Sequence, residues 1–403
     1  MLVMKNKFFY LFIALIGILS SCENEKIPSL QTNYVKSVYT NLATVTLTSS
    51  IWSKTPYYIV PLNDLSIGKV DLGDSAFNEN GGYNGINSFG NSVNLIIKSV
   101  YSNNKLYILA EWNDSTLNPT NKIWQWKGAK DVLKNLAAPN WTVQKSDDKF
   151  IIKFDKPSGS LNKADVWAWS SGLSDPMGYA IDMVEKNDNS VTVDAGTSMF
   201  AKNGTSFKSG PIYEFNGIQQ IVKPDGSKAG LDPLYYLFNK AKIKGDPQLG
   251  EITYELCKGC HSEKPTLSSM SRQSIKDYVV SDEHPGKDDV VAGLSDADID
   301  NIITYYRGKF GIPGYYLQTP SGSIADVWAS SNISTTKINV VNTKSYKVLL
   351  SRDLNNGNND DINFETKDGN EYNISLYLYN ADSVNFIGIE NQKLIFKQSW
   401  DEK

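Results

Sequence analysis

The chain has few cysteines and no excess of basic residues. Three cysteines among 403 residues are too few for the disulfide framework of a small secreted domain. The 40 Lys and Arg residues face 44 Asp and Glu residues, for a formal net charge of −4. The slightly acidic composition and the lack of a basic run argue against nucleic acid as the main partner. With 40% hydrophobic and 21% charged residues, the composition predicts a globular protein with room for two or three domains.

Long hydrophobic runs are also scarce, and the clearest one lies at the start of the chain. Residues 8–19 follow the basic Lys5 and Lys7, and this run is too short to span a bilayer comfortably. It ends in Leu-Ser-Ser before Cys22, which resembles the lipobox of bacterial lipoproteins. We therefore expect a signal peptide over residues 1–21, a lipidated Cys22 and a tether over 22–31. An ordinary signal peptide followed by a chance cysteine is the alternative.

Lipidation at Cys22 would give the protein a stable membrane anchor, because several acyl chains on one residue hold a protein where a single chain does not. The predicted location is the lipid-anchored cell envelope of a Gram-negative-type bacterium. Both a periplasm-facing and a surface-exposed orientation stay open.

The remaining two cysteines lie together in the sequence C-x-x-C-H. Cys257 and Cys260 are followed at once by His261, which is the pattern of covalent c-type haem attachment. Each thiol joins one vinyl group of the porphyrin, and the adjacent histidine binds the iron as its proximal ligand. The pattern predicts one covalent haem c. A thioredoxin-like pair and half of a zinc site are the alternatives.

Helical patterns flank this motif on both sides. Leu249 and Ile252 share one helical face that leads towards Cys257, after a Pro247 that suits a first helical position. Downstream, Ser295 and Asp298 have the spacing of a capping box. The stretch from there to residue 308 resembles the C-terminal helix of class I cytochromes c. The sequence therefore predicts a small all-α cytochrome c domain over residues 229–317.

The second ligand of the haem iron is left open by the sequence. His284 lies at about the position of the usual distal ligand, shortly before the last helix. Met270 is an alternative distal ligand, only nine residues beyond His261. An open sixth position, which would permit ligand or peroxide chemistry, is the third possibility.

Around this insert the pattern is that of β-structure. Residues 94–101 and 105–112 are strand-like and are separated by Ser-Asn-Asn, which is a hairpin signal. Further short strands are expected at 150–154, 346–350 and 374–379. The predicted fold class is therefore mainly β: an antiparallel β-sandwich with an inserted small all-α cytochrome c domain. The sandwich is predicted to comprise residues 32–228 and 318–403, whose strands must pair with each other.

Several motifs of the sandwich resemble the haem-binding domain of the ethylbenzene dehydrogenase gamma subunit and related DMSO-reductase-like proteins. They are Ala164–Trp169, Asp175–Asp182, Ser351–Leu354 and Asp360–Ile362, in that order. The resemblance implies a non-covalent haem b between a methionine and a lysine. The candidate ligands are Met177 or Met183 for the thioether, and Lys393 or Lys397 for the amine. It also implies a redox partner protein, with a molybdenum oxidoreductase as the candidate.

No nucleophile–base pair or other catalytic motif is visible, so no catalytic residue is assigned and an electron carrier is favoured over an enzyme. The predicted function is a membrane-anchored c-type cytochrome that transfers electrons through its covalent haem, with or without a second haem in the sandwich. Two alternatives remain: a ligand- or carbohydrate-binding lipoprotein with an accessory haem, and a haem enzyme with an open sixth coordination site.

Overall fold

The structure is a computed structural model. It describes the residues 34–64, 92–114, 117–118, 124–126, 141–143, 147–202, 221–229, 245, 247–255, 271, 273–274, 277, 293–307, 311–312, 315–338, 341–380 and 386–400. Within these ranges, none of the helices has the length and apolar character needed to cross a membrane.

Strands dominate the described residues. In chain order they are β1 (Tyr34–Tyr39), β2 (Tyr57–Asp64), β3 (Ser92–Tyr101), β4 (Lys105–Asn113), β5 (Trp124–Trp126), β6 (Trp141–Val143), β7 (Lys149–Asp155), β8 (Ala164–Ser170), β9 (Ile181–Glu185), β10 (Val191–Val193), β11 (Phe200–Lys202), β12 (Ile221–Val222), β13 (Lys228–Ala229), β14 (Gly311–Ile312), β15 (Tyr315–Leu317), β16 (Trp328–Ile338), β17 (Val341–Asp353), β18 (Glu371–Tyr379) and β19 (Phe386–Lys397). The helices are α1 (Ile51–Lys54), α2 (Pro247–Tyr254) and α3 (Asp296–Arg307).

One sheet of twelve strands forms the body of the protein. Its order is β10-β9-β8-β7-β18-β19-β1-β3-β4-β17-β16, and β2 pairs with β19 and β3. The sheet curls until its two ends meet: the backbone N–H of Ala180 donates to Val327, and the N–H of Ala329 donates to Gly178, at 3.0 and 2.9 Å. The prediction of a mainly β fold is confirmed.

The strands that follow residue 318 lie between strands from the first half of the chain. β17 pairs with β4, β18 pairs with β7, and β19 pairs with β1 and β2. The predicted pairing of the two halves is therefore observed, as is the β3–β4 hairpin. The boundaries of the predicted domains stay predictions.

The sheet departs from the expected antiparallel pattern at β1. This strand runs parallel to both of its neighbours, β19 and β3. A tight hairpin forces two strands to be antiparallel, but β1 is joined to neither neighbour by a short connection, so its direction is free. Buried hydroxyl groups fix its position, since Ser99 Oγ donates to Ser37 Oγ at 2.9 Å.

The helices α2 and α3 pack against each other. A Cβ on Gly250 would lie 2.0 Å from the carbonyl oxygen of Asn301, so only glycine permits this approach. The capping box at the start of α3 is confirmed: Asp298 N donates to Ser295 Oγ at 3.2 Å, and Ser295 N donates to Asp298 Oδ2 at 2.9 Å.

An inserted all-α cytochrome c domain is not supported by the residues that the structure describes between 229 and 317. They include the short strands β14 and β15 besides the helices α2 and α3 and the helical residues 273, 274 and 277. Each of these strands pairs with a strand from the first half of the chain, β14 with β5 and β15 with β11. The segment thus contributes strands as well as helices, which the helical periodicity around Cys257 did not indicate.

Candidate functional site

The four motifs that suggested a haem-binding domain come together around one buried arginine. Arg352 Nη1, on β17, donates to Asp165 Oδ2 on β8 at 2.6 Å and to Asp361 Oδ1 at 3.0 Å. Asp182 Oδ2, on β9, lies 3.5 Å from the same nitrogen. Arg352 Nη2 donates to the carbonyl oxygen of Ile362 at 2.8 Å. We call Arg352, Asp165, Asp182 and Asp361 the arginine cluster.

The local sequence explains how charged groups reach the interior. Successive side chains of a strand alternate between its faces, so Asp165 shares a face of β8 with Trp167 and Trp169. The rings of Trp167 and Phe364 lie 4.8 and 5.7 Å from the guanidinium carbon of Arg352. The loop after β17 then returns Asp361 to the same place.

Burial and mutual repulsion set the protonation of the arginine cluster. Burial, followed by the negative charge of Asp165, raises the pKa of Asp182 well above its usual value. Burial also raises the pKa of Asp165, against the opposing effect of Arg352. Although burial lowers the pKa of Arg352, the three carboxylates raise it above its usual value, so the guanidinium stays charged.

Next to the arginine cluster lies an open groove of about 770 Å³. Asp361 is a member of the arginine cluster and also lines the groove. The groove is formed by the end of β7, the loop after β17, the start of β18 and the end of β19. Its lining residues are Asp155, Lys156, Pro157, Ser158, Asn358, Asn359, Asp361, Ile362, Asn363, Glu365, Glu371, Tyr372, Asn373 and Lys393.

Two lysines of the groove are already engaged by the protein. Lys156 Nζ donates to the backbone carbonyl oxygens of Asn359, Asp360 and Asp361 at 2.9, 3.1 and 3.1 Å, and this holds the loop in place. Lys393 Nζ forms an ion pair with Glu371.

The predicted haem-b ligands are not brought to one place. Met177 and Met183 are fully buried in a hydrophobic cluster with Ile151 and Val166, whereas Lys393 lies on the groove. Met183 is on β9 and Lys393 is on β19, four strand positions apart. Strand spacing of about 4.8 Å puts that separation at roughly 19 Å along the sheet.

The other predicted site residues lie outside the described residues. They are Cys22, Cys257, Cys260, His261, Met270 and His284.

Sequence reasoning missed the arginine cluster and the groove. One signal was present, since Asp165 and Asp182 each interrupt an apolar strand, and a charged residue at such a position needs a partner. The groove left no comparable signal, because its asparagines and glutamates resemble those of any surface loop.

Comparisons with known proteins give matches among solved structures alone: no protein-family model and no curated protein matches the chain. The chain is similar to a family 9 carbohydrate-binding module from Caldicellulosiruptor kristjanssonii in complex with glucose, with 9% identity and a TM-score of 0.29, over 93% of this chain and 99% of that one. The same organism's module in complex with cellotriose matches with 9% identity and a TM-score of 0.27, over 92% of this chain and 95% of that one. A protein from Bacteroides uniformis to which carbohydrate binding is attributed matches with 5% identity and a TM-score of 0.33, over 92% of this chain and 100% of that one.

These structures correct two predictions. Their descriptions name carbohydrate binding, so the resemblance to the ethylbenzene dehydrogenase gamma subunit is wrong, as is the function of an electron-carrying c-type cytochrome. The arginine cluster gives a physical reason for the first error. The four motifs that suggested a haem pocket are joined to each other in the interior of the protein, and they stabilise the sheet.

Proposed function

We propose that the protein is a carbohydrate-binding lipoprotein, which binds a neutral sugar in the groove and carries one covalent haem as an accessory group. The observation that supports this proposal is the polar lining of the groove. Four of its residues are asparagines: Asn358, Asn359, Asn363 and Asn373.

Asparagine side chains suit sugar hydroxyl groups because each amide offers both a donor and an acceptor, as each hydroxyl does. Asp155 and Glu365 add acceptors, and the ring of Tyr372 adds an apolar surface. The volume of about 770 Å³ falls within the usual range of small-molecule sites, which is about 300–1,000 Å³.

The charge of the groove favours a neutral ligand over an anionic one. Its lining contains four carboxylates, those of Asp155, Asp361, Glu365 and Glu371, against the two lysines Lys156 and Lys393. Both lysines are held by protein groups, so an anionic ligand would meet a net negative surface.

The haem is proposed as an accessory group on Cys257 and Cys260, with His261 on the iron. Leu249 and Ile252 of α2 fit this, because they are 52% and 68% exposed on the helix that leads to Cys257. A porphyrin is a large apolar surface that would cover such side chains. When bound, the haem supplies a one-electron centre. The lipid anchor on Cys22 and the redox partner stay proposals of the same kind.

The groove is tested by isothermal titration calorimetry with neutral sugars, for which glucose, cellotriose and a set of disaccharides are the probes. Asn363→Ala and Asn373→Ala should each weaken binding about 5- to 10-fold, because each removes hydrogen bonds worth about 1–1.5 kcal/mol. Asn332→Ala is the matched control, since Asn332 is an exposed asparagine of β16 outside the groove.

Unchanged affinity in both groove variants, or a flat titration with every sugar, would contradict the proposal. The haem is tested separately, by covalent haem staining of a denatured sample. Staining should vanish in Cys257→Ala/Cys260→Ala, while sugar affinity should be retained.

A further inference from the structure

A second group of carboxylates lies beside the arginine cluster and contains no arginine. Asp194 follows β10, and its backbone N–H donates to the carbonyl oxygen of Asp182 at 3.1 Å. Oxygens of Asp194, Asp360 and Asp361 all lie within 4.8 Å of one another. Three oxygens no further apart than this lie within about 2.8 Å of a common point, close to the Ca²⁺–oxygen bond length of about 2.3–2.6 Å, so a small adjustment lets one Ca²⁺ contact all three.

The carboxylate of Asp194 has no compensating partner among the described residues. The residue is 5% exposed, and both of its carboxylate oxygens are buried without a hydrogen-bond partner among the described residues. An unpaired buried carboxylate is costly unless a cation or a proton balances it. Asp165 Oδ1 also lacks a hydrogen bond in the described part of the chain.

The described cations that contact this region do not bind Asp194. Arg352 binds Asp165 and Asp361. The ammonium group of Lys156 bonds to backbone carbonyl oxygens of the loop at 359–361. Burial, and then the charges of Asp360, Asp361 and Asp165, raise the pKa of Asp194 to about 8. The charged form of Asp194 therefore has no compensating cation among the described residues, and a bound metal ion would supply one.

We propose that Asp194, Asp360 and Asp361 bind a divalent cation, and that the cation is Ca²⁺. A site made of carboxylate oxygens alone suits Ca²⁺ and Mg²⁺, whereas softer metals prefer nitrogen or sulfur ligands. The irregular loop that carries Asp360 and Asp361 favours Ca²⁺, because Ca²⁺ accepts variable geometry whereas Mg²⁺ demands a regular octahedron.

Solvent reaches this site through Asp360, which is half-buried while the other two ligands are buried. Water can complete the coordination on that side. Asp361 would bridge the cation and Arg352. Its Oδ1 accepts from the guanidinium, and its Oδ2 accepts from the amides of Asn356 and Asn358. The bound ion would thus fix the loop that forms one wall of the groove, but its binding does not depend on the groove's ligand.

The test uses the purified full-length protein after removal of metals with EDTA. Thermal unfolding is measured at pH 8 with CaCl₂ up to 5 mM, and with NaCl at the same ionic strength as a control for screening. We expect Ca²⁺ to raise Tm by at least about 2 °C and NaCl to leave it unchanged.

Matched variants locate the ion. Asp194→Asn should abolish the Ca²⁺-dependent rise in Tm. Asp360→Asn should lower the affinity for Ca²⁺ at least 10-fold in a calorimetric titration. Asp225→Asn is the control, because Asp225 lies in the exposed turn of the β12–β13 hairpin and should retain the full response.

Three results would overturn the proposal: no Ca²⁺ effect on the wild type, an equal effect of NaCl, or a full Ca²⁺ response in both Asp194→Asn and Asp360→Asn. If Asp194→Asn does not fold, the titration of Asp360→Asn decides alone. Sugar binding does not enter the readout, so failure here is distinguishable from failure of the proposed function.

Discussion

Two ion pairs near the groove differ in burial. Arg352 pairs with Asp165 in the interior, where the two side chains are 1% and 0% exposed. Lys393 pairs with Glu371 at the edge of the groove, where the side chains are 48% and 44% exposed. Each pair joins a basic side chain to a carboxylate, and the main difference lies in how far solvent surrounds them.

The comparison shows that burial decides what an ion pair contributes. In water, a pair gains little because solvent screens it and because two long side chains lose freedom. In the interior, removal of one partner leaves the other charged without solvation, so the loss is large even though the intact pair adds little net stability. The arginine cluster is therefore essential to the sheet, while the Lys393 pair is dispensable.

The largest effect is expected from Arg352→Met, which leaves Asp165 and Asp361 without their cation. The free energy of unfolding should fall by about 3–5 kcal/mol, as measured by urea denaturation. Arg352→Lys is the control and should lose less, because it keeps the charge without the two-pronged geometry. A loss below about 1 kcal/mol in Arg352→Met would show that the buried pair behaves like the exposed one.

A pH-dependent effect is expected through Asp194. Its pKa is about 8 in the folded protein because of burial and of the neighbouring carboxylates Asp360, Asp361 and Asp165, with Arg352 opposing. An unfolded aspartate has a pKa of about 3.9. The folded state therefore holds a proton that the unfolded state releases. This contribution to stability is full below about pH 4 and is lost as the pH rises towards 8.

The measurement for Asp194 is urea denaturation in EDTA at several pH values between 4 and 8. Wild-type stability should fall relative to Asp194→Asn by at most about 1.4 kcal/mol per pH unit, since the neutral amide has no proton to release. Parallel profiles for the two proteins would contradict the prediction.

Ser295→Ala should cost about 1 kcal/mol of local stability, because it removes the capping box of α3. The effect should appear in hydrogen exchange of the first turn of α3, and the exchange of the twelve-stranded sheet should be unchanged. Ser334→Ala, on the exposed face of β16, is the control. Equal protection of α3 in all three proteins would refute the prediction.

The smallest effect is expected from Lys393→Met, which removes the exposed ion pair. The free energy of unfolding should change by less than about 1 kcal/mol, and the change should shrink further at 1 M NaCl. A loss comparable to that of Arg352→Met would mean that the groove edge is as shielded from water as the arginine cluster.

Local signals predicted local structure correctly. The Ser-Asn-Asn turn correctly predicted the β3–β4 hairpin, and the spacing of Ser295 and Asp298 correctly predicted the start of α3. These features depend on residues within a few positions of each other, so they can be recognised without the rest of the chain. The parallel direction of β1 could not be predicted in this way, because its partners lie 60 or more positions further along the chain.

The sequence by itself determined that the chain is mainly β, where its hairpins turn and where a helix is capped, because each follows from periodicity or turn chemistry within a short segment. Only the tertiary structure decided that Asp165, Asp182, Arg352 and Asp361 share one buried cluster. Charged residues far apart in sequence carry no sign of their partners. Burial and distance, which alone turn such residues into a site, are properties of the folded chain.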